Sequence, residues 1–173
     1  MSIEINLFQI EIPKRAAQCS LGNEPLIADM EYYSILVPQE NEYQRQDFCL
    51  SCWENQAKDQ YAHAVKTAWK AKVVSKKEVE DLSVKTRDEK AFYLLKEKLR
   101  NFQEEEWAEI FVLALYLARR RILYLRQELP QDGFTLCIYE VAATEEMWSI
   151  KRKSLIGVDI EEVQLKIAEK LKK

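Results

Sequence analysis

The sequence has few of the residues that interrupt a fold or that carry enzyme chemistry. It contains 3 glycines and 4 prolines among 173 residues, beside 47% hydrophobic and 32% charged residues. That composition is typical of a helix-rich globular protein and not of a disordered or low-complexity chain. The single histidine, His63, has no serine or cysteine nucleophile that the sequence places beside it. We therefore expect a folded protein of one domain, or one domain with a small appendage, in a non-enzymatic role.

An excess of positive charge is missing as well. The net charge is -3 at pH 7 and the sequence pI is near 5.5, so the chain as a whole lacks the surplus of lysine and arginine that phosphate binding requires. The first residues also lack the basic flank and apolar run of a signal peptide. These absences predict a cytoplasmic protein without a nucleic-acid or membrane partner. In that compartment the 4 cysteines are expected to be thiols or metal ligands and not disulfides.

The longest apolar run extends from Trp107 to Ala118 and contains one charged residue, Glu109. It is shorter than the roughly 20 apolar residues of a membrane span. A helix that is apolar on every side is normally buried on every side. We therefore predict that a helix over Phe102–Arg121 forms the centre of the core, with Arg119–Arg121 complementing the dipole in its last turn.

The residues before this helix show the two-residue period of strands. Alternating apolar and polar residues predict a strand over residues 3–12, and two β-rich runs around a proline predict a hairpin. An irregular helix, an extended segment and a solvated connector are expected to follow. The predicted strands of the hairpin are Met30–Val37 and Glu42–Phe48. The elements after it are the helix at Glu54–Ala68, the extended segment at Trp69–Val74 and the connector at Ser75–Lys85.

Helix and turn signals recur in the second half of the chain. Thr86 and Glu89 have the spacing of a capping box and predict a helix that packs antiparallel to the central helix. Asp132-Gly133 lies between two β-type runs and predicts a hairpin, which a third short strand extends into a meander. Asp159 and Glu162 have the same capping spacing ahead of a C-terminal amphipathic helix.

The order of these elements predicts an α+β fold. Residues 1–74 are expected to form a β-rich, zinc-ribbon-like subdomain that carries a cysteine knuckle. Residues 75–173 are expected to form a helical hairpin with the buried central helix, a three-stranded antiparallel meander and the C-terminal helix. The polar connector is the expected boundary.

Three cysteines have the pattern of a metal-binding knuckle. Cys49 and Cys52 are spaced so that both sulfur atoms can face one ion, where a predicted strand enters a turn. Cys19 precedes them, and Gly22 stands where a second Cys-x-x-Cys motif would have its other thiol. We expect Gly22 to turn the chain with a positive φ. The spacing predicts a zinc site with Cys19, Cys49 and Cys52 as ligands.

The sequence leaves the fourth ligand open. His63 or Asp47 can complete a tetrahedron, and Cys137 can do so if the C-terminal sheet lies close. An alternative of equal weight is that the cysteines are small buried thiols without a metal. A thiol redox role for Cys49 and Cys52 ranks lower, because the motif lies outside any strand-helix-strand pattern.

Two basic clusters allow a nucleic-acid interpretation. They are Arg119–Arg121, with Arg126 nearby, and Lys151–Lys153. The preferred interpretation of the first is a helix C-terminus whose cations pair with carboxylates, and that of the second is a solvated face. A nucleic-acid role would require the two clusters to form one exposed stripe with aromatic neighbours.

The order of several local patterns resembles a family of uncharacterised bacterial proteins. The patterns are Cys19 with Gly22, Tyr33–Leu36, Arg45–Cys49 with Cys52-Trp53, Trp69–Val73, Leu113–Leu123 and Asp132-Gly133. The resemblance spans most of the chain and implies one shared architecture without an assigned activity. It also implies a second cysteine pair that is not always complete, which argues against zinc being essential.

Packing signals are abundant in this sequence, and reactive constellations are scarce. The contrast favours a small cytoplasmic interaction or adaptor protein that acts on a protein partner. Its cysteine knuckle is expected to be structural, with or without zinc. The alternatives are a nucleic-acid-associated protein that uses the Arg119–Arg121 region and a thiol redox protein that uses Cys49 and Cys52.

Overall fold

The protein has an α+β fold, as predicted. Its computed structural model describes residues 12–40, 42–75 and 86–172. Two three-stranded antiparallel sheets are combined with helices. The chain divides into two compact units. Unit 1 comprises Met1–Glu78 with Glu140–Trp148, and unit 2 comprises Val79–Tyr139 with Ser149–Lys173.

Unit 1 contains the first sheet. β1 (Glu31–Gln39) and β2 (Glu42–Cys49) form the predicted antiparallel hairpin. β3 (Trp69–Lys72) pairs antiparallel with the other edge of β1, so the strand order is β2-β1-β3. Aromatic and β-branched residues are frequent in β1, which favours an extended backbone. The centre of β1 is buried on both faces and forms the core of unit 1.

Short helical turns connect β2 to β3. They are α1 (Leu50–Cys52), a π-helical turn (Trp53–Ala57), α2 (Lys58–Gln60) and a 3₁₀ helix (Ala62–Thr67). The irregular helix predicted over Glu54–Ala68 therefore begins earlier, directly after β2. The indole of Trp53 is buried and stacks on the ring of Tyr33 at a centroid distance of 4.9 Å, which attaches these turns to the sheet.

Unit 2 contains the predicted helical hairpin. α3 (Arg87–Arg100) begins with the predicted Thr86–Glu89 capping box. α4 (Trp107–Arg119) follows a short 3₁₀ turn. The carboxylate of Asp88, in the first turn of α3, accepts a hydrogen bond from Arg120, just beyond α4. The two helices are therefore antiparallel.

The prediction that the central helix is buried on every side is wrong for one stripe. The side chain of Leu115 is 42% exposed, and Val112 and Tyr116 are half-buried, whereas Leu117 is fully buried. α4 is also shorter than the predicted Phe102–Arg121. Apolar composition alone does not decide burial, because single apolar side chains are tolerated at protein surfaces. α3 and later elements of unit 2 cover the remaining sides of α4.

The second sheet and a last helix follow α4. The strands of the sheet are β4 (Leu123–Pro130), β5 (Thr135–Val141) and β6 (Met147–Arg152). Their order is β4-β5-β6, which confirms the predicted meander. Gly133 has a φ of 83° in the first turn, as the Asp-Gly signal predicts. α5 (Ile160–Leu171) begins at the predicted N-cap, where the Asp159 carboxylate accepts the N–H of Glu162.

Some predictions concern residues that the structure does not describe. The strand over 3–12, apart from Ile12, and the connector Ser75–Lys85, apart from Ser75, lie outside the described residues. Within the described residues, no helix combines the length and apolar character needed to cross a bilayer. The zinc-ribbon-like classification, the division into residues 1–74 and 75–173 and the cytoplasmic location stay predictions.

Candidate metal centre

One half of the centre is a tight loop that contains Cys19. Gln18 and Pro25 form an antiparallel bridge at the base of the loop. The N–H of Cys19 donates to the carbonyl oxygen of Glu24 at 2.8 Å, and the N–H of Asn23 donates to the carbonyl oxygen of Cys19 at 3.0 Å. These bonds close the loop and hold the backbone of Glu24 beside that of Cys19.

Gly22 has a different role in this loop from the predicted one. Asn23 is the residue with a positive φ, 57°, and Gly22 does not have one. Asparagine adopts this conformation because its short polar side chain tolerates it. A Cβ atom on Gly22 would instead lie 2.7 Å from Oε1 of Glu24 and 3.0 Å from Oε2. The missing side chain of Gly22 therefore leaves room for the Glu24 carboxylate.

The other half of the centre is the end of β2. Cys49 is the last residue of β2 and the N-cap of α1. The N–H of Cys52 donates to Cys49 Sγ at 3.4 Å. This hydrogen bond closes a tight turn and brings the two thiols together, as the Cys-x-x-Cys spacing predicts.

Hydrogen bonds fasten the loop to β2. The N–H of Ser20 donates to the carbonyl oxygen of Asp47 at 2.7 Å, and the N–H of Asp47 donates to Ser20 Oγ at 3.1 Å. The N–H of Cys49 donates to Cys19 Sγ at 3.4 Å. The sulfur atom of Cys19 is thus positioned by the same strand that carries Cys49.

Four atoms that can bind a metal converge where the two halves meet. The sulfur atoms of Cys19, Cys49 and Cys52 and a carboxylate oxygen of Glu24 all lie within 4.8 Å of one another. Oε2 of Glu24 lies 2.9 Å from Cys49 Sγ and 3.8 Å from Cys52 Sγ. Ligands on one tetrahedral zinc ion with bonds of about 2.3 Å lie about 3.8 Å apart. The four groups are therefore close enough to bind one metal ion after small side-chain adjustments.

The three thiols of the cluster differ in their pKa values. Burial and a hydrogen bond to the Glu24 carboxylate raise the pKa of Cys49 to about 12. The hydrogen bond with Cys49 acts to lower the pKa of Cys52, but burial and the Cys19 thiol outweigh it and raise this pKa. Burial acts to raise the pKa of Cys19. Hydrogen bonds from main-chain N–H groups, the strongest from Gly22, lower this pKa below its ordinary value. Cys19 is therefore the thiol best prepared to be a thiolate.

The centre lies at the surface of unit 1. Cys19 and Cys49 are 1% and 5% exposed, whereas Cys52 is partly buried and Glu24 is exposed. Solvent therefore reaches the cluster from the side of Cys52 and Glu24, and the protein encloses the other two ligands.

The fourth ligands that the sequence suggests are not in this cluster. Asp47 is buried in an ion pair, in which Arg45 Nε lies 3.0 Å from Asp47 Oδ1. His63 is exposed in the 3₁₀ helix, and Cys137 is buried in β5, in unit 2. Among the described residues, Glu24 is the carboxylate that lies with the three sulfur atoms.

Glu24 is the site residue that sequence reasoning missed. Zinc motifs are recognised by cysteine and histidine spacing, and with 29 acidic residues in the chain no single carboxylate stands out. A local signal exists nevertheless. Gly22 removes the side chain at the position of the missing thiol, and Glu24 follows within the same turn.

Several basic side chains of the described residues are paired with carboxylates. The ion pairs are Arg120–Asp88, Lys151–Glu104, Arg152–Glu128 and Lys153–Glu104. Lys151 is also buried, at 8% exposed. Pairing and burial reduce the positive charge of these residues, but Arg119 and Arg121 are exposed, so the nucleic-acid interpretation stays a prediction.

Comparison with known proteins gives no match for this chain. No protein-family model, no curated protein and no solved structure matches it. The resemblance to a family of uncharacterised bacterial proteins therefore stays an interpretation of the sequence. Any function has to be inferred from the chemistry of the site.

Proposed function

We propose that this protein is a small interaction or adaptor module in which a structural zinc ion, bound by Cys19, Cys49 and Cys52, holds part of unit 1 together. The observation that carries the proposal is the convergence of three sulfur atoms and a carboxylate oxygen within 4.8 Å. The cysteines come from two chain segments, the loop around Cys19 and the end of β2. A shared ion would cross-link these segments and add its binding free energy to folding.

The donor set suits zinc. Thiolates are soft ligands that select Zn²⁺, Cu⁺ or iron–sulfur clusters, whereas sites for Mg²⁺ and Ca²⁺ use oxygen ligands. Structural zinc sites are tetrahedral and are commonly built on Cys-x-x-Cys turns like that of Cys49 and Cys52. N–H groups donate to the sulfur atoms of Cys19 and Cys49, and such bonds orient and stabilise metal-bound thiolates.

The surroundings of the thiols favour a structural role over a redox role. At 1% and 5% exposed, Cys19 and Cys49 are screened from a protein disulfide substrate. A redox-active Cys-x-x-Cys thiol needs a lowered pKa, but burial raises the pKa of Cys49 to about 12. The redox alternative for Cys49 and Cys52 therefore lacks both an accessible sulfur at Cys49 and a ready nucleophile there.

The adaptor role is supported by surface chemistry. His63, the only histidine, has an aromatic neighbour, and among the described residues no hydrogen bond joins it to a nucleophile. Ile27 in unit 1 is 65% exposed, and Ile156 in unit 2 is 94% exposed. Either side chain offers apolar contact area to a protein partner, although single exposed aliphatic residues are also common at protein surfaces.

Zinc content tests the metal site. Wild-type protein should retain close to one equivalent of zinc after dialysis against metal-free buffer, as measured by elemental mass spectrometry. Cys49→Ser should lose the zinc, because it removes a central ligand. Cys137→Ser removes a buried thiol in unit 2 and is the matched control, which should keep the zinc. Metal-free wild-type protein whose thermal unfolding does not respond to added zinc would contradict the proposal.

Partner capture tests the adaptor role. A protein that co-purifies with the wild type should be lost when the exposed Ile27 is replaced in Ile27→Asp, because a charge there disfavours an apolar contact. Lys70→Asp changes another exposed side chain of unit 1 and should not affect capture. An identical set of co-purifying proteins in all three samples would count against a partner at this surface.

A further inference from the structure

We infer that Glu24 is the fourth ligand of the metal ion and that its carboxylate occupies the space into which a cysteine at position 22 would place its thiol. The inference rests on the proposed metal site and adds the ligand that no cysteine supplies. Cys49 and Cys52 form one complete knuckle, whereas Cys19 and Gly22 form an incomplete one. Glu24 completes the second knuckle from within the same loop.

The space beside Gly22 is filled by the carboxylate. A Cβ atom on Gly22 would lie 2.7 Å from Oε1, 2.9 Å from Cδ and 3.0 Å from Oε2 of Glu24. Non-bonded atoms do not pack this closely, so a side chain at position 22 would force the end of the Glu24 side chain to shift. The carboxylate therefore lies where position 22 would direct its own side chain.

Backbone hydrogen bonds fix the position of the Glu24 backbone, from which its side chain extends. The carbonyl oxygen of Glu24 accepts the N–H of Cys19 at 2.8 Å, and the next residue, Pro25, is bridged to Gln18. The backbone is thus held independently of the carboxylate. From that position the side chain brings Oε2 to 2.9 Å from Cys49 Sγ and within reach of the other two sulfur atoms.

Charge and ligand chemistry also favour coordination by Glu24. A carboxylate that faces three metal-binding sulfur atoms gains most when a cation lies between them, because opposite charges attract strongly at such short range. Zinc accepts carboxylate oxygen at about 2.0 to 2.2 Å and thiolate sulfur at about 2.3 Å. One ion can therefore take the three sulfur atoms and the oxygen in a single tetrahedron.

Zinc affinity, measured by competition with a chromophoric chelator, tests the inference. Glu24→Ala should weaken zinc binding by at least about tenfold, since loss even of a supporting residue has effects of that size. Gly22→Ala should also weaken binding, but by less than Glu24→Ala, because its methyl group forces the flexible end of the Glu24 side chain to shift. In the Glu24→Ala background, Gly22→Ala should have little further effect, because no carboxylate remains to be displaced.

Two more variants make the test specific. Gly22→Cys in the Glu24→Ala background should restore zinc affinity to at least the wild-type level, because it supplies a thiolate at the same place. Glu54→Ala is the matched control: its side chain is 57% exposed, it follows Cys52 closely in the chain, and its loss should leave the affinity unchanged. Circular dichroism should show the same fold for every variant, since neither Gly22 nor Glu24 contributes to the buried core.

The results distinguish this inference from the proposed function. Wild-type protein that binds no zinc would overturn the metal site and the inference with it. Zinc binding by the wild type, combined with unchanged affinity in Glu24→Ala and Gly22→Ala, would overturn the inference and leave the three-cysteine site intact. Failure of Gly22→Cys to restore affinity would overturn the position assigned to the carboxylate.

Discussion

The Sγ atom of Cys49 lies 2.9 Å from Oε2 of Glu24, although the two residues are 25 positions apart in the chain. This contact joins the loop that contains Cys19 to the end of β2. A metal ion bound at the contact would hold two segments of unit 1 together. Loss of the ion should therefore reduce the stability of unit 1 rather than abolish a chemical step.

Zinc should raise the unfolding temperature of the metal-free protein. A ligand that binds only the folded state stabilises it by about 2.7 kcal/mol at a free concentration one hundred times its Kd. For a chain of this length, that free energy corresponds to an increase of roughly 5 to 10 °C. Differential scanning calorimetry with and without zinc measures the shift. Cys49→Ser should show no shift, and a shift of wild-type size in that variant would place the ion elsewhere.

Cys52 should be the first cysteine to react with iodoacetamide in the folded, metal-free protein. All four cysteines are among the described residues, and Cys52 alone is not buried. Zinc should protect Cys52 by coordination and leave the slow reaction of Cys137 unchanged. Peptide mass spectrometry of timed samples measures each rate. Equal rates for Cys52 with and without zinc would argue against its role as a ligand.

Asp47→Asn should lower the free energy of unfolding by about 3 to 5 kcal/mol, the usual effect of breaking a buried ion pair. Arg45 Nε lies 3.0 Å from Asp47 Oδ1, and both side chains are 1% exposed. The Asp47 carboxylate also accepts the N–H of Ala16 at 2.9 Å and a hydrogen bond from Ser34. The substitution would leave the Arg45 charge buried without a full partner.

Urea unfolding of Asp47→Asn can be compared with that of Lys70→Ala. Lys70 forms an exposed ion pair with Glu31 at 3.3 Å, with side chains 47% and 45% exposed. Exposed pairs contribute only about 0 to 1 kcal/mol, so this control should unfold near the wild-type urea concentration. Similar unfolding midpoints for the two variants would mean that the Arg45–Asp47 pair is not important for stability.

Asp88→Asn should reduce stability at neutral pH but not at low pH. A hydrogen bond from Tyr116 and the nearby Arg120 lower the pKa of Asp88 below its ordinary value of 3.8. A lowered folded-state pKa contributes stability that is present above the unfolded-state pKa and is lost as the pH falls through the folded-state value. The stability difference between wild type and variant should therefore be constant above about pH 5 and shrink below about pH 4.

Thermal unfolding across this pH range measures the effect. Glu89→Gln is the control, because Glu89 is a neighbouring carboxylate in the same helical turn. The Glu89 carboxylate accepts the N–H of Thr86 in the capping box. A difference between wild type and Asp88→Asn that does not change with pH would mean that the Asp88 charge does not link α3 to the end of α4.

Short-range physics made several elements predictable from the sequence. Gly133 can adopt a positive φ without strain, so Asp132-Gly133 predicts its turn from two residues. Thr86 and Glu89 satisfy N–H groups at the start of a helix, so their spacing predicts where α3 begins. The Cys49 and Cys52 thiols come together because one tight turn connects them. None of these features depends on distant parts of the chain.

Long-range packing decided the features that the sequence did not reveal. The exposure of Leu115 depends on which elements cover α4, and composition contains no such information. Asp47 was a reasonable fourth ligand by chemical type, but Arg45 lies two residues away on the same face of β2 and pairs with it. Glu24 reaches the cluster because hydrogen bonds close its loop, a relationship that cysteine spacing does not encode.

The most direct test of the central claim is the zinc K-edge X-ray absorption spectrum of the zinc-loaded protein. We predict three sulfur neighbours at about 2.3 Å from zinc and one oxygen neighbour at about 2.0 to 2.2 Å. A first shell that contains no sulfur would contradict the claim that Cys19, Cys49 and Cys52 share one metal ion.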